Sequence, residues 1–494
     1  MDSDFLLFVT EKDSRYLYDA NTNTVHPLSE RIEENFVNQI YNSTSDDELN
    51  RLIDLYPEHK DFLRYVRIWR THSDAFRRKS RSGKIFLKSV EEAQNTQLLT
   101  SLAWDLILVT TEQCNMRCLY CVYEEGLYPN RRSHHSRYMT AESTKKAIDL
   151  YLQLNRQEKV LPFKNRALNV SFYGGEALLN WPVVKEGIAY VRNQYQGPFE
   201  LHIGISTNLT LLKKEWLPFL RDNCVFLNVS IDGPEKEHDR YRRLKDGRPS
   251  FRLVEKKLKE IYYFDQDYYN KYVKANVTTN GNTDFLEVTD FFEKNDIAPH
   301  VQNASMLKDL EISDFHRIHP YEPERFRNSL IQLKQAYEDL CLKGRQFQRG
   351  EVFYAFNYDA QSTFFNVPHC LRSEKNWYTG ICAPGRKLCV TPDERIYMCE
   401  RIGNDRPIGS LDSGVDENKL LDYFNDFFKS TGECPSCVAR NHCHICPAEV
   451  DSGREDYFEN RCEKARELLV KNLTNLYSLL EKKPDLFKRE YEYF

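Results

Sequence analysis

From residue 104 onward, six short apolar runs alternate with helical patterns. The runs are "DLILVTT" (105–111), "LNVSFYGG" (168–175), "LHIGISTN" (201–208), "VFLNVSID" (225–232), "YVKANVTTN" (272–280) and "APHVQNA" (298–304). Between them lie amphipathic stretches such as "TAESTKKAIDLYLQL", "PVVKEGIAYVRNQY" and "SFRLVEKKLKEIYYF". This alternation predicts a parallel sheet, because a crossover helix is what carries the chain back to start the next parallel strand and covers the sheet's faces. Six βα units make either a partial (β/α)6 TIM-like barrel or an open doubly wound sheet, so the fold class is α/β. In both arrangements ligands sit at the C-terminal strand ends. The polar segments "TEQC", "YGGE", "STN", "SIDGP" and "TTNGN" fall there.

The barrel unit spans 104–310. Ahead of it, residues 1–76 read as a small α+β module. "DFLLFVT" and "RYLYDA" are strands, with "NTVHPL" extending the second past a polar turn. Three helical patterns follow, and Ser45 with Glu48 fits a capping box. A linker (77–103) opens with the basic, solvated stretch "RRKSRSGK". Residues 311–369 are mainly helical and bridge to a cysteine-dense region, 370–465. The chain closes on an amphipathic helix, 466–494.

Composition narrows the partners. A net charge of −5 over 494 residues argues against nucleic-acid binding as the main task. The opening "MDSDFLLFVTEKD" is no signal peptide, and no run approaches the length of a membrane span. We therefore expect a cytoplasmic protein whose 14 cysteines are metal ligands or free thiols rather than disulfides.

Cys114, Cys118 and Cys121, in "TEQCNMRCLYC", follow the first barrel strand at spacing C-x3-C-x2-C. Three thiolates suit a 4Fe–4S cluster whose fourth iron takes an external ligand. A structural zinc site wants four ligands, and no fourth Cys or His stands nearby. A zinc knuckle and unrelated core cysteines are the competing readings. "CNMRCLYC" resembles the signature of radical S-adenosylmethionine (SAM) enzymes. The resemblance implies a cluster whose open iron is chelated by the amino and carboxylate groups of SAM. Its reduction cleaves SAM to methionine and a 5′-deoxyadenosyl radical. It further implies that Tyr120 packs near the adenine and that "YGGEA" (Gly174, Gly175, Glu176) binds the SAM amino group. Ser206 and Asn208 of "STN" would contact the ribose, and Ser230 with "IDGP" would form the fourth-strand segment. Arg240 or Arg242 would neutralise the SAM carboxylate. Alanine at 177 departs from the family's usual proline.

A second set of eight cysteines runs Cys382, Cys389, Cys399, Cys434, Cys437, Cys443, Cys446 and Cys462. The pairs Cys434/Cys437 and Cys443/Cys446 also admit zinc, although that leaves four cysteines unused. The array resembles the SPASM extension of radical SAM maturases. By that resemblance Cys382, Cys389, Cys399 and Cys446 hold one auxiliary 4Fe–4S cluster and Cys434, Cys437, Cys443 and Cys462 another, three clusters in all. Departures are the two residues between Cys443 and Cys446, where three is usual, and Glu394, where a glycine is usual. Glu400 matches the position of a proposed catalytic base in the sulfatase-maturing branch; a surface carboxylate is the plainer reading. Of the other cysteines, Cys224 reads as core and Cys370 as a half-buried free thiol, while Cys341 has no assignment.

Residues 1–76 resemble the winged-helix leader-recognition element of peptide maturases. The implied function is a radical SAM oxidoreductase that takes hydrogen from a ribosomally made precursor peptide and installs an intramolecular thioether, ether or carbon–carbon cross-link. The implied partners are a leader-bearing precursor and a low-potential donor such as flavodoxin or ferredoxin. The alternatives are a sulfatase-maturase-like formylglycine-generating enzyme and an iron–sulfur or zinc scaffold without radical chemistry.

Overall fold

The computed structural model describes residues 4–29, 31–78, 88–89, 91–92, 104–124, 132–156, 167–307, 315–342, 385–403, 405–431, 434–443, 445–446, 448 and 457–485. Cys370, Cys382, most of the linker and most of the bridging region lie outside them, as does the Cys341 side chain.

The N-terminal segment forms an antiparallel meander of three strands, β1 (Phe5–Val9), β2 (Arg15–Asp19) and β3 (Thr24–Leu28). "NTVHPL" is thus a strand of its own. Asp19 causes the reversal: its Oδ1 accepts from the N–H groups of Asn21 and Thr22 at 2.9 and 2.8 Å, an Asx-type turn. Helices α1 (Glu34–Asn42), α2 (Asp46–Leu55) and α3 (Lys60–His72) follow, and α2 starts on the Ser45–Glu48 capping box.

Alternate residues of the meander serve two different cores, as the period of two requires. Phe5 and Leu17 pack with α1, α2 and α3. Phe8 and Tyr18 pack with Val438, Ala439, Leu469 and Leu473. The segment between Cys437 and Cys443 is also gripped by polar contacts. The fully buried Arg440 donates to Asn21 Oδ1 at 2.8 Å, Asn441 donates to the Ala20 carbonyl at 2.8 Å, and His442 meets Asn23 Oδ1 at 3.0 Å. The module is therefore docked on the cysteine-dense region, a packing its own sequence gives no hint of.

The six apolar runs become parallel strands β4 (Asp105–Thr111), β5 (Ala167–Gly174), β6 (Glu200–Thr207), β7 (Val225–Ser230), β8 (Val273–Thr279) and β9 (His300–Met306). They pair in chain order with no reversal. A doubly wound sheet needs a switch point where the order reverses, so this is the partial barrel. Leu106, Leu108, Val170, Ile203, Leu227 and Val273 lie in one core with the flanking helices.

On its other side β4 pairs in parallel with β10 (Lys387–Val390), setting Cys389 opposite Ile107. Strands β11 (Arg395–Tyr397), β12 (Gly409–Ser410) and β13 (Gly414–Val415) continue antiparallel, so all ten strands share one sheet. The first strands of the cysteine-dense region thus extend the barrel sheet, next to the strand that leads into Cys114.

The β10–β11 turn explains one departure. Glu394 has φ +64, a conformation that costs a non-glycine residue about 1–2 kcal/mol. Its carboxylate accepts from Ser143 Oγ at 2.6 Å, a bond to a charged group that returns about 1.5–3 kcal/mol. Glu394→Gly exchanges one for the other and is expected to change stability by less than about 1 kcal/mol, whereas Glu394→Val keeps the strain, loses the bond and should cost more. Denaturant unfolding of the two variants checks the order. Cys224 differs from its expected core placement: it is exposed, at φ +51.

Candidate functional site

β4 delivers the chain into the Cys114 loop, and the β5 end holds that loop from beneath. Gly175 N donates to the Thr111 carbonyl at 2.9 Å and Glu176 N to the Gln113 carbonyl at 2.8 Å. A Cβ on Gly174 would come within 2.1 Å of Thr111 O, and one on Gly175 within 2.2 Å of Gln113 O. Gly174 also sits at φ +143. The two glycines thus admit the cysteine loop's own backbone. Glu112, buried at the start of the loop, is held by Arg137 at 2.6 Å.

The three thiols lie close enough to influence one another. Burial, then Glu176 and the other two cysteines, pushes Cys114 up to about 12. Burial and Cys118 push Cys121 up to about 12. Burial also raises Cys118, and Arg242 opposes it. Each sulfur already has a donor: Met116 N at 3.3 Å from Cys114, Arg242 Nη1 at 4.0 Å from Cys118, and Tyr123 N at 3.5 Å from Cys121. His134 Nε2 stands 4.0 Å from Cys121 Sγ.

Glu176 is buried and accepts three hydrogen bonds, from Thr207 Oγ1 at 2.7 Å, Asn208 N at 2.7 Å and Leu178 N at 3.0 Å. Burial raises its pKa against those bonds. Asn208 joins it to the loop, donating to Asn115 Oδ1 at 2.9 Å and lying 3.9 Å from Cys114 Sγ. Ser206 and Ser230 are half-buried near the ends of β6 and β7.

Of the two candidate arginines, Arg242 reaches the site. Its Nε donates to Asp232 Oδ2 at 2.9 Å, and its guanidinium lies 5.3 Å over the Tyr120 ring. Burial pulls its pKa down, but Asp232, Tyr120 and Cys118 reverse this and raise it. Arg240 instead pairs with Glu237. Tyr120 is buried, its hydroxyl donating to Asp232 and its ring against Tyr241 and Phe315, each 6.2 Å away. Asp232 is thus the hinge of this corner, also accepting from Thr278 N at 2.9 Å. It lies in the quoted "SIDGP", but nothing in the segment singles it out.

The second cysteine field starts beside β4, with Cys389 opposite Ile107. Burial and Glu400 push Cys399 up to about 12, with Cys446 among its neighbours. Burial pushes Cys389 up to about 12, with Arg132 opposing and Glu400 and Cys399 adding. Cys462 is raised by burial and by Cys437. Tyr173, at the β5 end, is raised by burial and by Glu400, Cys121 and Cys389. Tyr173 is thus within electrostatic reach of both cysteine fields. Glu400 Oε2 is buried without a hydrogen-bond partner.

Three half-buried thiols that each receive an N–H, beside a second field with the buried Cys389 and with Cys399 accepting from Arg401 N at 3.3 Å, suit thiolate-ligated clusters, because a metal deprotonates a thiol outright and relieves the burial cost. Among the described residues no three His, Cys, Asp or Glu side chains converge as a single metal ion would require. No helix among them is long and apolar enough to cross a membrane.

Residues 108–262 match the Radical SAM superfamily. The serine-type anaerobic sulfatase-maturating enzyme of Bacteroides thetaiotaomicron is 35% identical over 28% of this chain, a match spanning 31% of that protein's length. The cysteine-type anaerobic sulfatase-maturating enzyme of Clostridium novyi is 23% identical over 75% of this chain and 95% of its own. The radical SAM cyclopropyl synthase TigE of Paramaledivibacter caminithermalis is 21% identical over 77% of this chain and 75% of its own. Among solved structures, anSMEcpe with bound AdoMet and Cp18Cys peptide superposes with a TM-score of 0.56 at 18% identity, covering 78% of this chain and 98% of that one.

Proposed function

Residues 108–262 are a radical SAM domain, and on that premise we propose that the protein modifies a ribosomally made precursor peptide by hydrogen abstraction, closing an intramolecular thioether, ether or carbon–carbon cross-link. One observation carries this reading. The cysteine-dense strands are hydrogen-bonded to β4 itself, the strand that leads into Cys114, and Tyr173 at the β5 end feels Glu400, Cys121 and Cys389 together.

Cys114, Cys118 and Cys121 would hold the first cluster, which with SAM supplies the 5′-deoxyadenosyl radical when reduced. Cys382, Cys389, Cys399 and Cys446 would hold a second cluster, and Cys434, Cys437, Cys443 and Cys462 a third. The influence of Cys399 on Cys389, of Cys446 on Cys399 and of Cys437 on Cys462 supports that division.

The residues around the first cluster have separable tasks. Glu176 supplies an anion for the SAM ammonium. Arg242 supplies the cation for its carboxylate, held in place by Asp232. Tyr120, Ser206, Asn208 and Ser230 line the nucleoside side. Glu400 would hold the proton that the peptide loses, a role supported by its one buried, unpartnered carboxylate oxygen.

β3 is an end strand of the N-terminal sheet; Pro27 withholds one donor from it, and the remaining edge is where a leader peptide would add a strand. Because that sheet also packs on the Cys437–Cys443 segment, leader binding and the third cluster would share one rigid support. A low-potential flavodoxin or ferredoxin would supply electrons.

A second reading, formylglycine formation on a sulfatase, draws on the names of the relatives from Bacteroides and Clostridium. Co-expression with short open reading frames beside the gene, followed by mass spectrometry, separates the two. A precursor lighter by two hydrogens, with fragmentation blocked across a ring, is expected for a cross-link. Formylglycine on a sulfatase peptide, with every precursor unchanged, would favour the second reading.

A further inference from the structure

Arg132 is a charged side chain with no visible reason for its burial. It is 3% exposed. Its Nε donates to the Ile402 carbonyl at 3.0 Å, but Nη1 and Nη2 are both buried with no hydrogen-bond partner. No carboxylate among the described residues forms an ion pair with it. An unpaired guanidinium is costly to bury, and each such group in a native fold calls for an acceptor. A carboxylate, a phosphate or an anionic cluster would each serve chemically.

The location selects among them. The guanidinium lies 4.1 Å over the Tyr397 ring. Tyr397 is the direct cross-strand partner of Cys389, and directly opposed residues of an antiparallel pair project from the same face. Arg132 thus lies on the Cys389 face of the β10–β11 ribbon. Its one hydrogen bond reaches Ile402, whose N–H returns to the Cys399 carbonyl at 3.4 Å. The electrostatics agree: burial pulls the Arg132 pKa down, yet Cys389, then Tyr123 and Tyr397, raise it overall. The Tyr123 hydroxyl, a second buried group without a partner, faces the same neighbours, Arg132, Cys389 and Cys121.

We propose that Arg132 is a positioning residue for the auxiliary cluster bound through Cys389 and Cys399, its two free Nη groups donating N–H···S hydrogen bonds to that cluster and setting its reduction potential. This rests on the reading of the later cysteines as cluster ligands. Each electron added makes the cluster more negative, so a fixed cation and N–H···S bonds stabilise the reduced form and raise the potential. Lysine at this position keeps the charge but not the fork of donors.

The test uses the full-length chain carrying Cys114→Ala, Cys118→Ala and Cys121→Ala, so that only auxiliary clusters report. It is reconstituted anaerobically with iron and sulfide, with Arg132, Arg132→Lys or Arg132→Gln. Iron content, far-UV circular dichroism and an EPR-monitored redox titration are recorded for each. Arg132→Gln is expected to lower one midpoint by at least a tenfold change in the one-electron equilibrium, about 59 mV, with Arg132→Lys between. Selective loss of one cluster's iron from Arg132→Gln at unchanged circular dichroism would equally support the proposal. Full iron with unchanged midpoints in both variants overturns it. So does an Arg132→Gln enzyme, with Cys114, Cys118 and Cys121 restored, whose only change is a raised peptide KM; that would make Arg132 a reader of a substrate carboxylate. If the parent triple variant binds no iron at all, the cluster reading fails first, an outcome distinct from either.

Discussion

Replacing Cys114, Cys118 and Cys121 together by alanine is expected to abolish formation of 5′-deoxyadenosine from SAM, while leaving the iron held by the later cysteines. The two fields draw on different elements: the first on the loop after β4, the second on β10, β11 and the chain beyond. Sulfur-to-sulfur influence runs within each field. The three thiols also make little use of one another as structure. Each accepts a backbone or side-chain N–H at 3.3 to 4.0 Å, bonds weak enough that alanine should leave the loop folded. Iron analysis and product chromatography on one preparation check both halves. SAM cleavage at the parental rate would show that the radical chemistry is initiated elsewhere.

Arg242→Ala is expected to cost about 3–5 kcal/mol of stability, the penalty for removing one member of a buried ion pair and stranding the other. The side chains of Arg242 and Asp232 are 9% and 5% exposed, so little solvent is available to take the arginine's place. Asp232 would keep its bond from Thr278 N at 2.9 Å and that from the Tyr120 hydroxyl, but would lose its only cationic partner among the described residues. Cys118 would lose the guanidinium that opposes the effect of burial on its thiol, so cluster binding should weaken as well. Arg242→Lys keeps the charge without the planar fork and is expected to fall between. Denaturant unfolding of the three proteins without metal measures the first effect, and iron retention the second. A cost below about 1 kcal/mol for the alanine variant would mean that Asp232 is not held by this arginine. The contrast with Arg240 is instructive: two positions earlier on the chain, it spends its charge on Glu237.

How much of this was legible in the chain follows from what is local. The barrel strands were readable because each is a short apolar run bounded by polar turn residues, and each begins within two residues of its expected start. The strand ends were readable for the same reason, and with them the loops that carry Cys114, Glu176, Asn208 and Asp232. The chemistry expected of those loops came from their resemblance to the radical SAM signature. Pairing between distant segments was not legible. Nothing within Lys387–Val390 says that it will lie parallel to Asp105–Leu108, because register is decided by the surface already present when the strand arrives. Nor does "VARNH" announce that Arg440, Asn441 and His442 will grip the turn at 19–23. Burial is equally invisible. Arg132 sits in a polar stretch, "NRRSHHSR", where three arginines look alike, and only the fold takes this one out of solvent. The close neighbours of the glycines at 174 and 175 are the carbonyls of Thr111 and Gln113, a long-range approach that the segment "YGGEA" does not announce.

Radical initiation at the three-cysteine loop is the step on which every other proposed role depends. The most direct measurement is anaerobic reconstitution of the unaltered chain, followed by quantification of iron and of 5′-deoxyadenosine after reduction in the presence of SAM. Three clusters predict about twelve iron per chain, with 5′-deoxyadenosine released only when both reductant and SAM are present. Zinc in place of iron, or an iron-loaded chain that leaves SAM intact under reduction, would contradict it.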